Sequence, residues 1–237
     1  MRRTNKQVSV AATATGFGIA LDGKPLRTPA GTPIVVPTER LAQAIAAEWA
    51  GQAAVLHPDR APLTTIACTA LDRIAERRSQ VHDELLEYAQ TELVCHRAEE
   101  PPVLASRQTA IWQPLLDWLA REFAAPLAIT KGVIAKPQRP ASLAALERAL
   151  ASFDDFPLAA LSVAVTAAGS LVIGLALATR EIDAARAFDA AELDATYQLE
   201  RWGKDAEATK RRSRIKDDLV AAERFIALLA APATTRD

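Results

Sequence analysis

Apolar and polar residues alternate along the start of the chain and then, from about residue 60 onward, recur at helical spacing. Val8 to Ala14 alternates and is rich in Val and Thr, the pattern of a half-buried strand. Gly16 and Gly18 bracket Phe17, and Ile19 to Leu21 is apolar again. Asp22-Gly23 then predicts a hairpin turn, because both central positions of the favoured turn need positive φ. Lys24 to Thr28 fits a short strand interrupted by Pro25. Pro29-Ala30-Gly31 turns once more, and Pro33 to Val36 forms a last extended piece. A sheet this small is marginal alone and calls for a covering helix. Thr38 is placed to cap such a helix, with Glu39 in its first turn and Leu41, Ala44, Ile45, Glu48 and Trp49 at helical spacing. Gly51 ends the run, and "HPDRAP", His57 to Pro62, reads as a linker.

Beyond Pro62 the period is helical almost throughout. Leu63, Ile66, Ala67, Ala70, Leu71 and Ile74 mark one helix; Val81, Leu85, Leu86, Ala89 and Leu93 mark the next. A third is predicted from Val103 to Phe123, bent near Pro114. "APLAITKGVIAKPQRP" is an extended interlude, followed by helices at about 141–152, 158–178, 183–200 and 205–230. The expected fold is α+β: a β-rich N-terminal domain over residues 1–60 and an α-helical domain over 61–237.

Composition narrows the function classes. The 237 residues are half apolar and carry a net charge of −1, so the chain as a whole does not suggest nucleic acid or an anionic membrane as partner. Two cysteines, Cys68 and Cys95, fit a reducing compartment, and no signal peptide is apparent, which gives the expectation of a cytoplasmic protein. Phe156 to Thr179 is uncharged and long enough to span a bilayer. Its alanines, Pro157, Gly169 and Gly174 favour a buried helix, or two end to end.

Candidate chemistry is sparse. "LDGKPLRTPAG", Leu21 to Gly31, gathers Lys24 and Arg27 among glycines and prolines, yet it has neither the spacing nor the order of a phosphate-binding Walker loop. Two tight turns explain it, with an anion site formed by Lys24, Arg27 and His57 in a small-molecule enzyme as the alternative. His57, His82, His96 and the cysteines show no metal-ligand spacing. Ser170 lacks a nucleophile elbow, and Gly16-Phe17-Gly18 lacks the rest of a dinucleotide fingerprint. Glu84, Glu87, Glu92, Asp154 and Asp155 read as solvated helix faces. The basic run "KRRSRIK", Lys210 to Lys216, is flanked by acids and has no interleaved aromatics, which favours an exposed charged helix over a nucleic-acid site. No catalytic residue, cofactor or metal is expected. What remains is tryptophan beside acids: Glu48-Trp49, Asp117-Trp118 and "ERWGKDAE", Glu200 to Glu207.

Taken in order, "LDGKPLRTPAGTPIVVPTERLAQAIAAEWAGQ", "PLTTIACTALDRI", "TELVCHRAEEP", "WQPLLDWLAREF", "GSLVIGLALA" and "LERWGKDAEA" resemble the ATP synthase assembly factor family. Its members are chaperones of the α subunit of the catalytic head, found in the mitochondrial matrix and with bacterial relatives. The resemblance runs from about residue 8 to residue 229. It implies a non-enzymatic protein, needing no nucleotide or metal, that shields the unassembled α subunit until the β subunit replaces it, and that is a monomer when free. It also implies an acid shortly after the Trp-Gly pair that acts on the client; here Asp205 and Glu207 flank that position, next to Trp202. Trp49, in the family's Glu-Trp pair, is expected to bolt the helix to the sheet, and Asp22 and Gly23 to shape the hairpin.

Overall fold

A computed structural model describes residues 7–50, 60–131, 136–203 and 206–230. These residues group into two compact units. One holds residues 7–77 together with Asp155–Ala160 and 224–230; the other holds Arg78–Asp154 and Leu161–Glu223.

In the first unit, β1 (Val8–Thr13) and β2 (Gly16–Leu21) form an antiparallel hairpin, and β2 also pairs with β3 (Lys24–Pro25) and β4 (Val35–Val36). The Asp22-Gly23 turn joins β2 to β3 as its dipeptide predicts, with φ of 50° and 77°. Asp22 also fastens the strand ends, since its Oδ1 accepts from Gln7 N at 2.8 Å and its own N–H donates to Gln7 O at 2.8 Å. Helix α1 (Glu39–Ala50) covers one face of the sheet. Thr38 caps it, accepting from Leu41 N at 3.2 Å while its hydroxyl donates to Leu228 O at 2.8 Å. Ile19, Ile34, Val36, Leu41 and Ile45 are buried in this core.

Helix α2 (Pro62–Cys68) runs into a π-helical stretch, Thr69–Ile74, and then into α3 (Ala75–Gln90), where Arg77 departs from helical geometry at φ −133°. The expected single helix over Leu63 to Ile74 is therefore half α and half π. The chain later returns to this unit: Phe156 stacks on Phe225 at 6.5 Å between ring centres.

In the second unit, a 3-10 turn (Leu93–Cys95) leads to β5 (His96–Arg97), which pairs in parallel with β6 (Thr130–Lys131). The extended interlude thus contributes a strand to a small second sheet. Between them runs α4 (Pro102–Phe123), which keeps Pro114 inside the helix. Then follow α5 (Pro140–Ala151), α6 (Asp155–Ala168), α7 (Leu171–Ala178), α8 (Ala184–Ala191), α9 (Leu193–Trp202) and α10 (Ala206–Leu229). The uncharged run 156–179 is two helices, broken at Gly169 (φ 65°) and capped anew by Ser170. Every residue of α7 is buried, and the helix packs on α4 and α8. Gly174 lies so near Val165 that a Cβ there would stand 2.4 Å from its Cγ2. Among the described residues no helix is long and apolar enough to cross a membrane.

Candidate functional site

The glycine- and proline-rich loop around Arg27 does enclose a carboxylate, and it is the protein's own. Thr28 Oγ1 donates to Asp72 Oδ1 at 2.7 Å, and Ala30 N reaches Oδ2 at 3.3 Å. The loop closes on itself through Thr28 N to Thr32 O at 2.8 Å and Gly31 N to Thr28 O at 2.9 Å. Arg27 turns inward as well, its Nη1 donating to Gly31 O at 2.6 Å. Lys24 is exposed on β3, and His57 lies outside the described residues. The donors that an external anion would need are engaged within the loop.

The Glu48-Trp49 pair ties α1 to the start of α2. Glu48 accepts from Leu63 N at 2.8 Å, Thr64 N at 2.9 Å and Thr64 Oγ1 at 2.7 Å, so its carboxylate satisfies the first free N–H groups of that helix. Trp49 Nε1 donates to Thr64 Oγ1 at 3.2 Å. The indole's hydrogen bond thus goes to a second helix, where a bolt to the sheet was expected.

Glu92 corrects a reading from sequence. It is not part of a solvated face but fully buried, accepting from Leu171 N at 3.0 Å, Val172 N at 3.2 Å and Val94 N at 3.3 Å, with Ser170 Oγ also donating to it. It caps α7 from outside that helix. Burial pushes its carboxyl up to about 7, against the pull of these hydrogen bonds. The same burial raises the thiols of Cys95, to about 12, and Cys68, to about 11, with neighbouring acids Glu92 and Asp72 adding to it. Both cysteines are thus held as thiols, not as the thiolates a nucleophile needs.

The remaining candidates meet at the corner between α9 and α10. Helix α8 stops at Glu192, whose backbone leaves helical geometry at φ −105°, ψ 20°. Its side chain is buried and is reached from α10 by Arg211 Nη2 at 3.0 Å and Arg212 Nη1 at 2.8 Å. Arg212 also donates from Nη2 to Thr196 Oγ1 at 2.9 Å and lies over the Phe188 ring at 5.1 Å. The basic run is therefore not one exposed face: two of its arginines fasten α10 to the α8–α9 junction, while Lys210, Arg214 and Lys216 are exposed. One turn further along α9, the guanidiniums of Arg201 and Arg107 lie 4.9 and 5.6 Å from the Tyr197 ring centre, and Arg107 pairs with Glu200 at 2.7 Å.

Against that held framework, Trp202 stands out. It ends α9 and is 76% exposed. Gly203 follows at φ 88° and donates to Leu199 O at 3.0 Å, so the chain leaves the helix directly beyond the indole. Glu207 is exposed in the first turn of α10, and Asp205 lies outside the described residues. A cleft of about 380 Å³, lined by Thr196, Leu199, Glu200, Thr209 and Arg212, opens between the two helices. An exposed indole, a cleft with leucine in its wall and charges of both signs make binding chemistry. Glu192, Asp72 and Glu92, which order these regions, give no signal in the sequence beyond being acids in or beside helical runs.

Comparison with known proteins agrees with this layout. Residues 2–120 match the sequence model of the ATP12 chaperone protein family. Protein atp12, mitochondrial, of Schizosaccharomyces pombe is 24% identical over 197 residues, which span 78% of this chain and 68% of that one. The crystal structure of Atp12 from Paracoccus denitrificans superposes with a TM-score of 0.90 at 40% identity, covering 97% of this chain and 98% of that one. The Atu1473 protein of Agrobacterium tumefaciens gives a TM-score of 0.90 at 36% identity, covering 96% and 86%.

Proposed function

The chain belongs to the ATP12 chaperone family, and from that premise we propose that it is a non-enzymatic assembly chaperone of ATP synthase whose client is the unassembled α subunit of the catalytic head. It holds the α-subunit surface that later meets the β subunit and yields it as the head assembles. It acts where that assembly occurs, in the cytoplasm for a bacterial protein and in the matrix for mitochondrial relatives, as a monomer when free.

The observation that carries this reading is the exposure of Trp202 on a corner whose other parts are fixed. An unassembled subunit presents apolar surface that would otherwise aggregate. A partner that must bind it and later let go is served by an aromatic anchor among charges, in an interface of the standard class of about 1,200–2,000 Å². Trp202 supplies the anchor. Glu207 and Asp205 supply the acids that follow the Trp-Gly pair.

Co-expression of the α subunit with the tagged protein tests the proposal. The α subunit is expected to stay soluble and to co-purify; equal aggregation with and without the protein overturns the reading. Reversing both acids, Asp205→Lys with Glu207→Lys, is expected to lower the co-purified amount while the circular dichroism spectrum is kept. Unchanged retention takes those two acids out of the interface.

A further inference from the structure

From the open edge of the N-terminal sheet we infer that β1 is a strand-accepting site, and that it takes an extended, alternately apolar segment of the client by main-chain hydrogen bonding. This inference rests on the chaperone reading above and adds a second contact to it.

The ladder itself fixes which groups are available. Asp22 N donates to Gln7 O at 2.8 Å, and the register pairs Ser9 with Ala20, Ala11 with Gly18 and Thr13 with Gly16. In an antiparallel pair, hydrogen-bonded and non-hydrogen-bonded positions alternate. The backbone groups of Ser9, Ala11 and Thr13 therefore point to β2. Those of Val8, Val10 and Ala12 point the other way, and among the described residues no strand pairs with that side of β1. The result is a row of N–H and C=O groups repeating every two residues, about 6.8 Å.

Such a row recognises one kind of occupant, another extended backbone, because only that repeats donors and acceptors at the same interval. Natural edge strands usually discourage such pairing with a lysine, a proline or a bulge. Val8–Thr13, "VSVAAT", has no charge and no proline, and its register to β2 runs without a bulge. The side chains specify the occupant further. Val8 and Val10 are half-buried, on the strand face opposite to exposed Ser9 and Ala11. Apolar side chains from an added strand would complete the cover of the two valines, while its other side chains would face water. Main-chain recognition of this kind tolerates many sequences, which suits the capture of a subunit before its own strands have partners.

The test uses the full-length protein and the α subunit diluted from denaturant. Hydrogen exchange on the complex is expected to show slowed exchange at the amides of Val8, Val10 and Ala12, with those of Ser9, Ala11 and Thr13 already slow in the free protein. Ala12→Pro removes one outward donor at an exposed position without touching the β1–β2 ladder. It is expected to weaken retention of the α subunit by about fivefold, the worth of one hydrogen bond of ~1 kcal/mol. Ala12→Lys, which places a charge on the edge, provides a second variant if the proline compromises folding. Unaltered exchange at Val8, Val10 and Ala12 in the complex overturns the inference, as does full retention by both variants. So does concentration-dependent slowing of those amides in the free protein, which would assign the edge to a second copy of this chain. Failure of the wild-type protein to retain the α subunit is a different result and counts against the chaperone reading itself.

Discussion

In the loop between β3 and β4, Asp72 arrives from a distant helix and takes Thr28 Oγ1 at 2.7 Å; at the head of α9, Glu192 is reached from α10 by Arg211 and Arg212 at 3.0 and 2.8 Å. Each polar, basic stretch is thus organised around one carboxylate supplied from elsewhere in the chain. The two regions differ in what they leave outside. The loop turns its hydroxyl, its amides and Arg27 inward, and no large apolar side chain of the loop is exposed. The corner uses its arginines in the same way but leaves Trp202 in water. The lesson is that a cluster of glycine, lysine and arginine does not by itself mark a binding site. The side chain that structure does not use, an indole three-quarters exposed, is the better guide.

The largest effect is expected from Glu192→Ala. It strands Arg212, which is only 16% exposed, without its carboxylate. Breaking a buried pair costs about 3 kcal/mol or more, so the melting temperature should fall by roughly 6–12 °C for a chain of this size. Retention of the α subunit should fall with it. Unchanged stability would show that the corner is not held through Glu192.

A third embedded carboxylate sharpens the comparison, because Glu92 accepts from backbone amides and a hydroxyl, with no cation among its hydrogen-bond donors. Its carboxyl is raised in the fold from an ordinary 4.5 to about 7. The folded state therefore binds the proton more tightly than the unfolded chain. Its contribution is fully present below pH 4.5 and is lost as pH rises through about 7. Denaturant midpoints compared at pH 5 and pH 8 should show a decline in the wild type that is larger than in Glu92→Gln. Equal slopes would mean that Glu92 does not titrate in this range.

Asp72→Ala should cost about 2 kcal/mol, the scale of hydrogen bonds to a charged group, and speed exchange at the Ala30 amide while leaving α-subunit retention intact. Loss of retention there would make the loop part of the interface and dissolve the contrast. The smallest change in stability belongs to Trp202→Ala, within about 0.5 kcal/mol for an exposed position. Here retention of the α subunit, not the melting temperature, should drop.

How much of this is legible from sequence depends on whether the cause is local. Asp22-Gly23 announces its turn because φ is a property of the residues themselves, and Thr38 announces its cap for the same reason. Gly169 marks the break in the uncharged run. The break at Glu192 has no such mark, since glutamate is a good helix former and the interruption coincides with bonds from α10. Burial of Glu92 is hidden likewise, because it depends on amides nearly eighty residues away. The β5–β6 pair escapes notice because two-residue strands have no period to read. Of the candidate site, Trp202 and Glu207 could be named from the resemblance, whereas the arginine clamp that frames them could not.

The π-helical stretch at Thr69–Ile74 carries a consequence for chain length. A π turn accommodates one residue more than an α turn, and Asp72 sits inside it. A relative lacking one residue between positions 69 and 71 would form an unbroken α-helix with no loss of apolar character. Its acid, however, would be rotated by about 100° around the axis, away from Thr28 and Ala30. Insertions and deletions at this point are thereby coupled to the conformation of a loop some forty residues upstream, so that the two segments can vary only together.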